Sequence, residues 1–165
     1  MTSKRGSGPG EAILAPTTAA SRSGETEGLR PWIAPAAQPR TRTFRGHRDQ
    51  LACVREFARA ALGLVPVLDE AVLLVSELCT NALLHTASGR NGGMFEVAVY
   101  TGTCSARIEV RDEGGSQAPA LHPSDALAET GRGLGLVALL SDEWGHHGDH
   151  TGRSVFFELR WKEPD

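Results

Sequence analysis

The sequence has few of the residues that build disulfide frameworks, metal centres or membrane spans. Its three cysteines, Cys53, Cys79 and Cys104, lie far apart and form no C-x-x-C pair, so neither a disulfide framework nor a zinc site is predicted. Each lies in an apolar pattern and is interpreted as a small buried side chain. No apolar run approaches the roughly 18 residues of a membrane span, and no apolar stretch typical of a secretory signal is visible. These absences favour a reducing, cytoplasmic location.

Lysine is also scarce, with two Lys against fifteen Arg, and the charges divide unevenly along the chain. Residues 1–43 carry six basic and three acidic side chains, whereas the remainder carries eleven basic and seventeen acidic ones. An acidic remainder lacks the basic surface that nucleic acids require, so direct nucleic-acid binding is not predicted. The first segment is rich in Gly, Pro, Ser, Thr and Ala and has little to bury. We therefore expect a disordered tail over residues 1–41 and one domain over residues 42–165.

Hydrophobic periodicity predicts grouped helices and strands in that domain. The predicted elements are a strand at 41–45, a helix from 47 to Gly63 capped by Asp49, a helix at 67–86, a hairpin of strands at 95–100 and 106–111, a helix at 134–140, a short strand near Trp144 and a strand at 154–161. Residues 115–130 show no period, and a segment this long is often a functional lid. Because helices and antiparallel strands do not alternate strictly, the expected fold class is α+β, a two-layer sandwich with a sheet backed by helices.

The second predicted helix carries polar residues inside an otherwise apolar run. Leu68, Ala71, Val72, Val75, Leu78, Cys79 and Ala82 form a broad apolar stripe. Glu70, Leu74, Glu77, Asn81 and His85 fall on another side of the helix. Glu77 and Asn81 are four residues apart and project from one face. A carboxylate there can accept a proton, and an amide oxygen suits Mg²⁺. The alternative is a solvated polar face, although Asn is a poor helix former to find so deep in an apolar helix.

Two glycine clusters follow this helix. Asp112 ends a predicted strand and is followed by Gly114 and Gly115, which is either a common Asp-x-Gly turn or a carboxylate able to accept a hydrogen bond from the amino group of adenine. Gly131, Gly133 and Gly135 precede a helix, where main-chain N–H groups and the helix start favour phosphate. The alternative for this cluster is a flexible hinge, and it matches neither the Walker nor the Rossmann pattern.

The histidines carry weaker signals. His85 stands one turn beyond Asn81, where it either reaches a phosphate or stabilises the carbonyls at the helix end. His146, His147 and His150 cluster in a Gly-rich setting, but their spacing gives no fixed zinc geometry. A solvated turn is the favoured interpretation of this cluster.

These motifs together resemble those of the GHKL ATPases. The run Glu77-x-x-Thr80-Asn81-Ala82 is similar to the N-box, Asp112-x-Gly114 is similar to the first glycine box, and Gly131-Arg-Gly-Leu-Gly-Leu136 is similar to the second. The segment 152–158 resembles the closing strand of that superfamily. Within it, the small size is most similar to the single-domain anti-sigma-factor serine kinases of the RsbW and SpoIIAB type.

The resemblance implies a Bergerat fold with an antiparallel or mixed sheet, ATP and Mg²⁺ as cofactors, and a lid at 115–130. It implies that Asn81 binds the metal, that Glu77 acts as the base or orients a water, and that Asp112 binds adenine with support from Ser154. The residues expected to line the nucleotide are Asn81, His85, Asp112, Gly114, Gly131, Arg132, Gly133, Leu134, Gly135 and Ser154. The expected reaction moves the γ-phosphoryl group of ATP to a serine of an antagonist protein of the STAS type. The expected partners are that antagonist, a sigma factor and a second copy of the chain.

Two other hypotheses remain open on the sequence. The first is a catalytically silent, ATP-responsive module that sequesters partner proteins. The second is an isolated histidine-kinase-like catalytic domain acting on a separate protein, although no helix with a phosphoacceptor histidine is recognisable.

Overall fold

The computed structural model describes residues 38–116 and 132–163, which form five strands and three helices with one short 3-10 turn. In chain order these are β1 (Arg40–Arg45), α1 (Gln50–Leu62), α2 (Leu68–His85), the 3-10 turn (Ala87–Gly89), β2 (Met94–Thr101), β3 (Ser105–Asp112), α3 (Arg132–Leu140), β4 (Glu143–Gly148) and β5 (Arg153–Arg160). The predicted tail lies mostly outside these residues, as do Gly131 and nearly all of the predicted lid. No helix in the described part of the chain is long and apolar enough to cross a membrane.

The five strands form one antiparallel sheet in the order β1-β2-β3-β5-β4. Alternation along each strand sends one set of side chains to the helices and the other set to the opposite face, called here the outer face. On β3 and β5, the cross-strand pairs Val110–Val155 and Ile108–Phe157 face the helices. The sheet and its helical layer give the α+β sandwich that the sequence predicts.

The core lies between this sheet and the three helices. Its largest fully buried side chains include Phe44, Leu74, Phe95, Ile108 and Phe157. Helix α2 occupies the middle of the helical layer, since it packs against both α1 and α3 as well as against β3. Burial of apolar side chains on more than one side holds α2 at the centre of the helical layer.

Three local predictions are settled by the helices. Gly63 ends α1 as predicted, with φ of 69° and its N–H bonded to the Arg59 carbonyl oxygen. Asp49 precedes α1 but makes no side-chain capping bond, because its own backbone is already helical and its carboxylate contacts His47 at 3.1 Å. The sequence pattern puts Leu74 on the same side of α2 as Glu77 and Asn81, and Leu74 is fully buried in a helix that packs against both α1 and α3.

Candidate functional site

Helix α2 presents Glu77 and Asn81 one turn apart, and both side chains are half-buried. His85 follows one turn later and is exposed at the end of the helix. The backbone rise of an α-helix places Asn81 and His85 about 6 Å apart along the axis. The three side chains therefore form a polar row along one flank of the central helix, from half-buried to exposed.

The start of α3 lies directly against the first two members of that row. A Cβ atom built on Gly133 would lie 2.9 Å from Oε2 of Glu77 and 3.2 Å from both Oδ1 and Nδ2 of Asn81. Gly133 is itself buried, so a side chain at this position would displace the ends of the Glu77 and Asn81 side chains. The positive end of the α3 dipole consequently lies beside the Glu77 carboxylate.

The neighbouring residues of the second glycine cluster differ in their surroundings. Arg132 begins α3, and Leu134 packs against the hydrophobic core. Gly135 is exposed, and a Cβ atom built there would meet nothing within 4 Å. The close approach to α2 is thus specific to Gly133 among the described glycines of this cluster.

Asp112 ends β3 as a buried carboxylate, 6% exposed. Its Oδ1 accepts a hydrogen bond of 2.7 Å from the Gly114 N–H, so the predicted Asp-x-Gly turn is present. Gly114 has φ of +75°, and a Cβ atom there would overlap the carbonyl oxygen of His150. Loss of hydration raises the pKa of the Asp112 carboxyl, while the Gly114 N–H and the Arg153 charge partly offset that rise. The turn therefore engages Oδ1, and Oδ2 is the carboxylate oxygen that we consider for a ligand donor.

The glycine turn after Asp112 is tied to the end of α2. The Ala87 N–H donates to the Gly114 carbonyl oxygen at 2.8 Å, and the Glu113 N–H donates to Oγ of Ser88 at 2.9 Å. A Cβ atom built on Gly115 would lie 2.6 Å from the carbonyl oxygen of His85. The first glycine box therefore meets α2 near His85, whereas Gly133 of the second meets it near Glu77 and Asn81.

The register of β3 and β5 corrects the position of Ser154. Asp112 is paired with Arg153, and Ser154 is paired with Arg111, which is exposed on the outer face. Because successive side chains in a strand point to opposite faces, Ser154 lies on the outer face, away from Asp112. The structure therefore does not bring Ser154 to the candidate site.

Arg153 is the site residue that sequence reasoning missed. It is 5% exposed, and its Nε lies 3.9 Å from Oδ1 of Asp112. The sequence pattern predicts the final strand from Ser154, and Arg153 enters only as part of the segment 152–158 that resembles the closing strand, with no role assigned to it. Its signal was available in the alternation of that strand, since Arg153 precedes Val155, Phe157 and Leu159 on the same face.

The remaining candidate residues, the histidine cluster and the cysteines, form no part of this site. His146 and His147 belong to β4 and not to a solvated turn, because pairing with β5 supplies the backbone hydrogen bonds; His150 alone lies in the following turn. No group of three His, Cys, Asp or Glu side chains that could hold a metal ion occurs among residues 38–116 and 132–163. Cys79 is buried as predicted, whereas Cys53 and Cys104 are only half-buried.

Comparison with known proteins identifies the fold. The family model described as "Histidine kinase-like ATPase domain" matches residues 44–158. The chain belongs to this family. The match runs from β1 to β5 and includes α2, the Asp112 turn and α3, so it contains every motif discussed above. It confirms the resemblance to the GHKL superfamily.

A curated relative agrees with this assignment. The chain is 37% identical over 89 residues to "Serine-protein kinase RsbW" of Bacillus pumilus (strain SAFR-032), an alignment that covers 46% of this chain and 55% of the relative. The chain thus matches about half the length of that kinase, and the likeness to RsbW-type proteins is confirmed at the level of the family.

Proposed function

We propose that this domain binds ATP and transfers its γ-phosphoryl group to a serine of a STAS-type antagonist protein, as an anti-sigma-factor type of serine kinase. The observation that carries the proposal is the contact of Gly133 with both Glu77 and Asn81. It joins a carboxylate, an amide oxygen and a helix start at one place. Such a place suits the phosphates of a nucleotide and a cation bound to them.

The base end of the nucleotide is assigned to Asp112. Its buried carboxylate has Oδ1 held by the Gly114 N–H, which leaves Oδ2 to accept a hydrogen bond from the amino group of adenine. The glycine turn approaches α2 at His85, one turn from Asn81. A nucleotide lying along this flank of α2 would have its base near Asp112 and its phosphates near Gly133.

The residues present also fit a Mg²⁺ ion bound mainly through the nucleotide. Mg²⁺ keeps several waters and takes few protein ligands when phosphate oxygens are available. The Oδ1 atom of Asn81 is a neutral oxygen ligand, with the Glu77 carboxylate one turn away. When bound, the ion would neutralise charge on the β- and γ-phosphates.

The proposed chemical step uses Glu77 as the base. The serine hydroxyl of the antagonist attacks the γ-phosphorus, its proton passes to the Glu77 carboxylate, the bond from the γ-phosphorus to the bridging oxygen breaks, and ADP leaves. Gly131, Gly133 and Gly135 would offer N–H groups to the phosphates, and His85 would lie at the edge of the site. Most of the rate enhancement in such reactions comes from positioning and charge neutralisation.

The proposed partners are an antagonist protein of the STAS type and a sigma factor, with a homodimer as the working form. The similarity to a serine-protein kinase of Bacillus pumilus supports the choice of a serine as acceptor. Regulation of transcription through the sigma factor in the cytoplasm follows from the same proposal.

Nucleotide binding is the first test. Titration of ATP with and without Mg²⁺ compares the parent chain with Asp112→Ala and Asn81→Ala. We expect Asp112→Ala to weaken ATP about tenfold or more under both conditions, since a hydrogen bond to a charged group is worth about 1.5–3 kcal/mol. Asn81→Ala should remove the gain in affinity that Mg²⁺ provides. If neither substitution weakens binding, the site is wrongly assigned.

Phosphoryl transfer is the second test. The chain is incubated with γ-labelled ATP and purified STAS-type antagonists of the same genome, and the products are analysed for acid-stable phosphoserine and acid-labile phosphohistidine. We expect phosphoserine with the parent and its loss with Glu77→Gln, while ATP binding persists. Tight ATP binding without any phosphoserine would contradict the kinase and leave the ATP-responsive binding module. Phosphohistidine would instead favour the histidine-kinase-like alternative.

A further inference from the structure

Arg153 and Asp112 form a buried cross-strand pair at one end of the sheet. The two residues are register partners on β5 and β3, and both side chains point to the helical side of the sheet. The next cross-strand pair on that side is Val155 and Val110. Arg153 is 5% exposed and Asp112 is 6% exposed. Nε of Arg153 lies 3.9 Å from Oδ1 of Asp112, close enough for an ion pair and too far for a hydrogen bond.

The arginine also reaches the glycine turn that faces the proposed nucleotide. A Cβ atom built on Gly115 would lie 3.2 Å from Nη2 of Arg153. The guanidinium therefore extends from the Asp112 carboxylate to the backbone of Gly115, beneath the turn that places Gly114. Its charge lies beside Oδ1, the oxygen already held by the Gly114 N–H.

A buried carboxylate needs compensation to remain a hydrogen-bond acceptor. Removing Asp112 from water disfavours its charged form, and this loss of hydration is the largest influence on the group. The Gly114 N–H and the Arg153 charge both act in the opposite direction. Arg153 is the positive side chain of the pair, and an arginine keeps its charge at every physiological pH.

We propose that Arg153 is a positioning residue of the nucleotide site, which holds the Asp112 carboxylate as an ionised acceptor and so sets the preference for adenine over guanine. Adenine offers an amino donor where guanine offers the O6 acceptor. An ionised carboxylate accepts from the first and repels the second. The inference rests on the proposed nucleotide site and adds to it a residue that acts through Asp112.

The test is a double-mutant cycle on nucleotide affinity. ATP and GTP dissociation constants are measured by competition against a fluorescent ATP analogue for the parent chain, Arg153→Gln, Asp112→Asn and the double variant. We expect Arg153→Gln to weaken ATP binding about tenfold and to reduce the ATP-to-GTP preference. The interaction affected is the hydrogen bond from the adenine amino group to the charged Asp112 carboxylate. In the Asp112→Asn background, Arg153→Gln should change neither quantity by more than about twofold.

Two further variants separate this role from a general effect on folding. Arg153→Lys keeps the charge, and we expect it to retain the ATP-to-GTP preference of the parent. Arg107→Gln removes the arginine of the equivalent cross-strand pair with Glu158, on the outer face of the same two strands, and should lower stability without changing that preference. If Arg153→Gln fails to fold, the ATP and GTP affinities of Arg153→Lys and Asp112→Asn, each compared with the parent chain, still test the proposal.

The outcomes distinguish the inference from the proposed function beneath it. If Asp112→Asn leaves ATP affinity and preference unchanged, the proposed site itself fails. If Asp112→Asn weakens ATP but Arg153→Gln has the same effect in both backgrounds, Arg153 does not act through Asp112 and the inference is overturned. If Arg153→Lys loses the preference as fully as Arg153→Gln, charge is not what the arginine supplies, which also overturns it.

Discussion

At the scale of single residues, Asp112 makes stability depend on pH in an unusual direction for a carboxyl group. Its pKa in the folded chain is raised, chiefly by loss of hydration, so the folded state binds this proton more tightly than the unfolded state does. The stability associated with Asp112 is therefore present below its unfolded pKa and is lost as pH rises through the folded pKa. Asp112→Asn abolishes this dependence.

We expect the free energy of unfolding of Asp112→Asn, minus that of the parent chain, to rise between pH 4 and pH 7 in urea titrations without nucleotide. Asp149→Asn provides the control. The pKa of the exposed Asp149 is lowered from 3.8, first by the Thr151 hydroxyl, so its contribution is present above that value and is lost as pH falls through the lowered pKa. Its difference from the parent should therefore not rise over the same interval. A falling difference for Asp112→Asn would contradict the argument.

Spacing and chain order were enough to predict the principal polar residues of the site. Glu77 and Asn81 followed from a four-residue step on a helix, and Asp112 from its position between a strand and a glycine turn. The Arg153 contact could not be predicted in the same way, because it depends on which strand lies beside β3 and in which register. The family resemblance assigns Ser154 to the support of Asp112, whereas the register pairs Asp112 with Arg153.

At the scale of elements, the contact between α2 and α3 depends on Gly133. Gly133→Ala would bring a methyl group within 2.9 Å of Oε2 of Glu77 and 3.2 Å of Asn81. These are the ends of flexible side chains, so the chain should still fold while both groups move away from their present positions. We expect the stability to change by less than about 1 kcal/mol, because alanine is also the better helix former. We expect the gain in ATP affinity from Mg²⁺ to fall about tenfold, equivalent to about 1.4 kcal/mol.

Gly135→Ala is the matched control for this helix in the nucleotide-free protein. It makes the same chemical change two residues later, at an exposed position with nothing within 4 Å of the new methyl group. We expect it to stabilise the chain by about 0.5–1 kcal/mol in thermal or urea unfolding. If Gly133→Ala leaves the Mg²⁺ dependence of ATP binding unchanged from the parent chain, the contact of Gly133 does not position Glu77 and Asn81.

The elements themselves were mostly predictable, and the exceptions share a cause. Helix α2 and the β2–β3 hairpin have clear periods, and the structure has both within one or two residues of the predicted ends. Strand β4 carries Gly145, His146 and His147, which are weak strand formers, and its hydrogen-bonded partner β5 determines its conformation. Burial of Leu74 likewise depends on the packing of α2 against its neighbouring elements, which no local pattern reveals.

At the scale of the whole molecule, the two faces of the sheet carry different kinds of side chains. The helical face carries the hydrophobic core and the candidate site, whereas the outer face carries a network of ion pairs. Glu158 is the centre of this network, with a side chain 1% exposed that lies 3.0 Å from Arg107 and 3.0 Å from Arg160. The Arg107 guanidinium also lies over the ring of Phe156, 3.6 Å from its centroid. The network joins β3 to β5 from the side opposite the Arg153–Asp112 pair.

We expect Glu158→Gln to lower the free energy of unfolding by about 1–3 kcal/mol, because it leaves two half-buried guanidinium groups facing a buried neutral amide. Glu96→Gln is the matched control on the same face. It removes the carboxylate from a cross-strand pair with Arg111 at 3.7 Å, in which the Arg111 and Glu96 side chains are 64% and 37% exposed, and should cost less than about 0.5 kcal/mol. Because neither residue faces the helices, ATP affinity should equal that of the parent in both variants once folding is established by circular dichroism. Equal losses of stability would show that burial does not govern these pairs, and a weakened ATP affinity in Glu158→Gln would show that the outer face is coupled to the nucleotide site through β3 and β5.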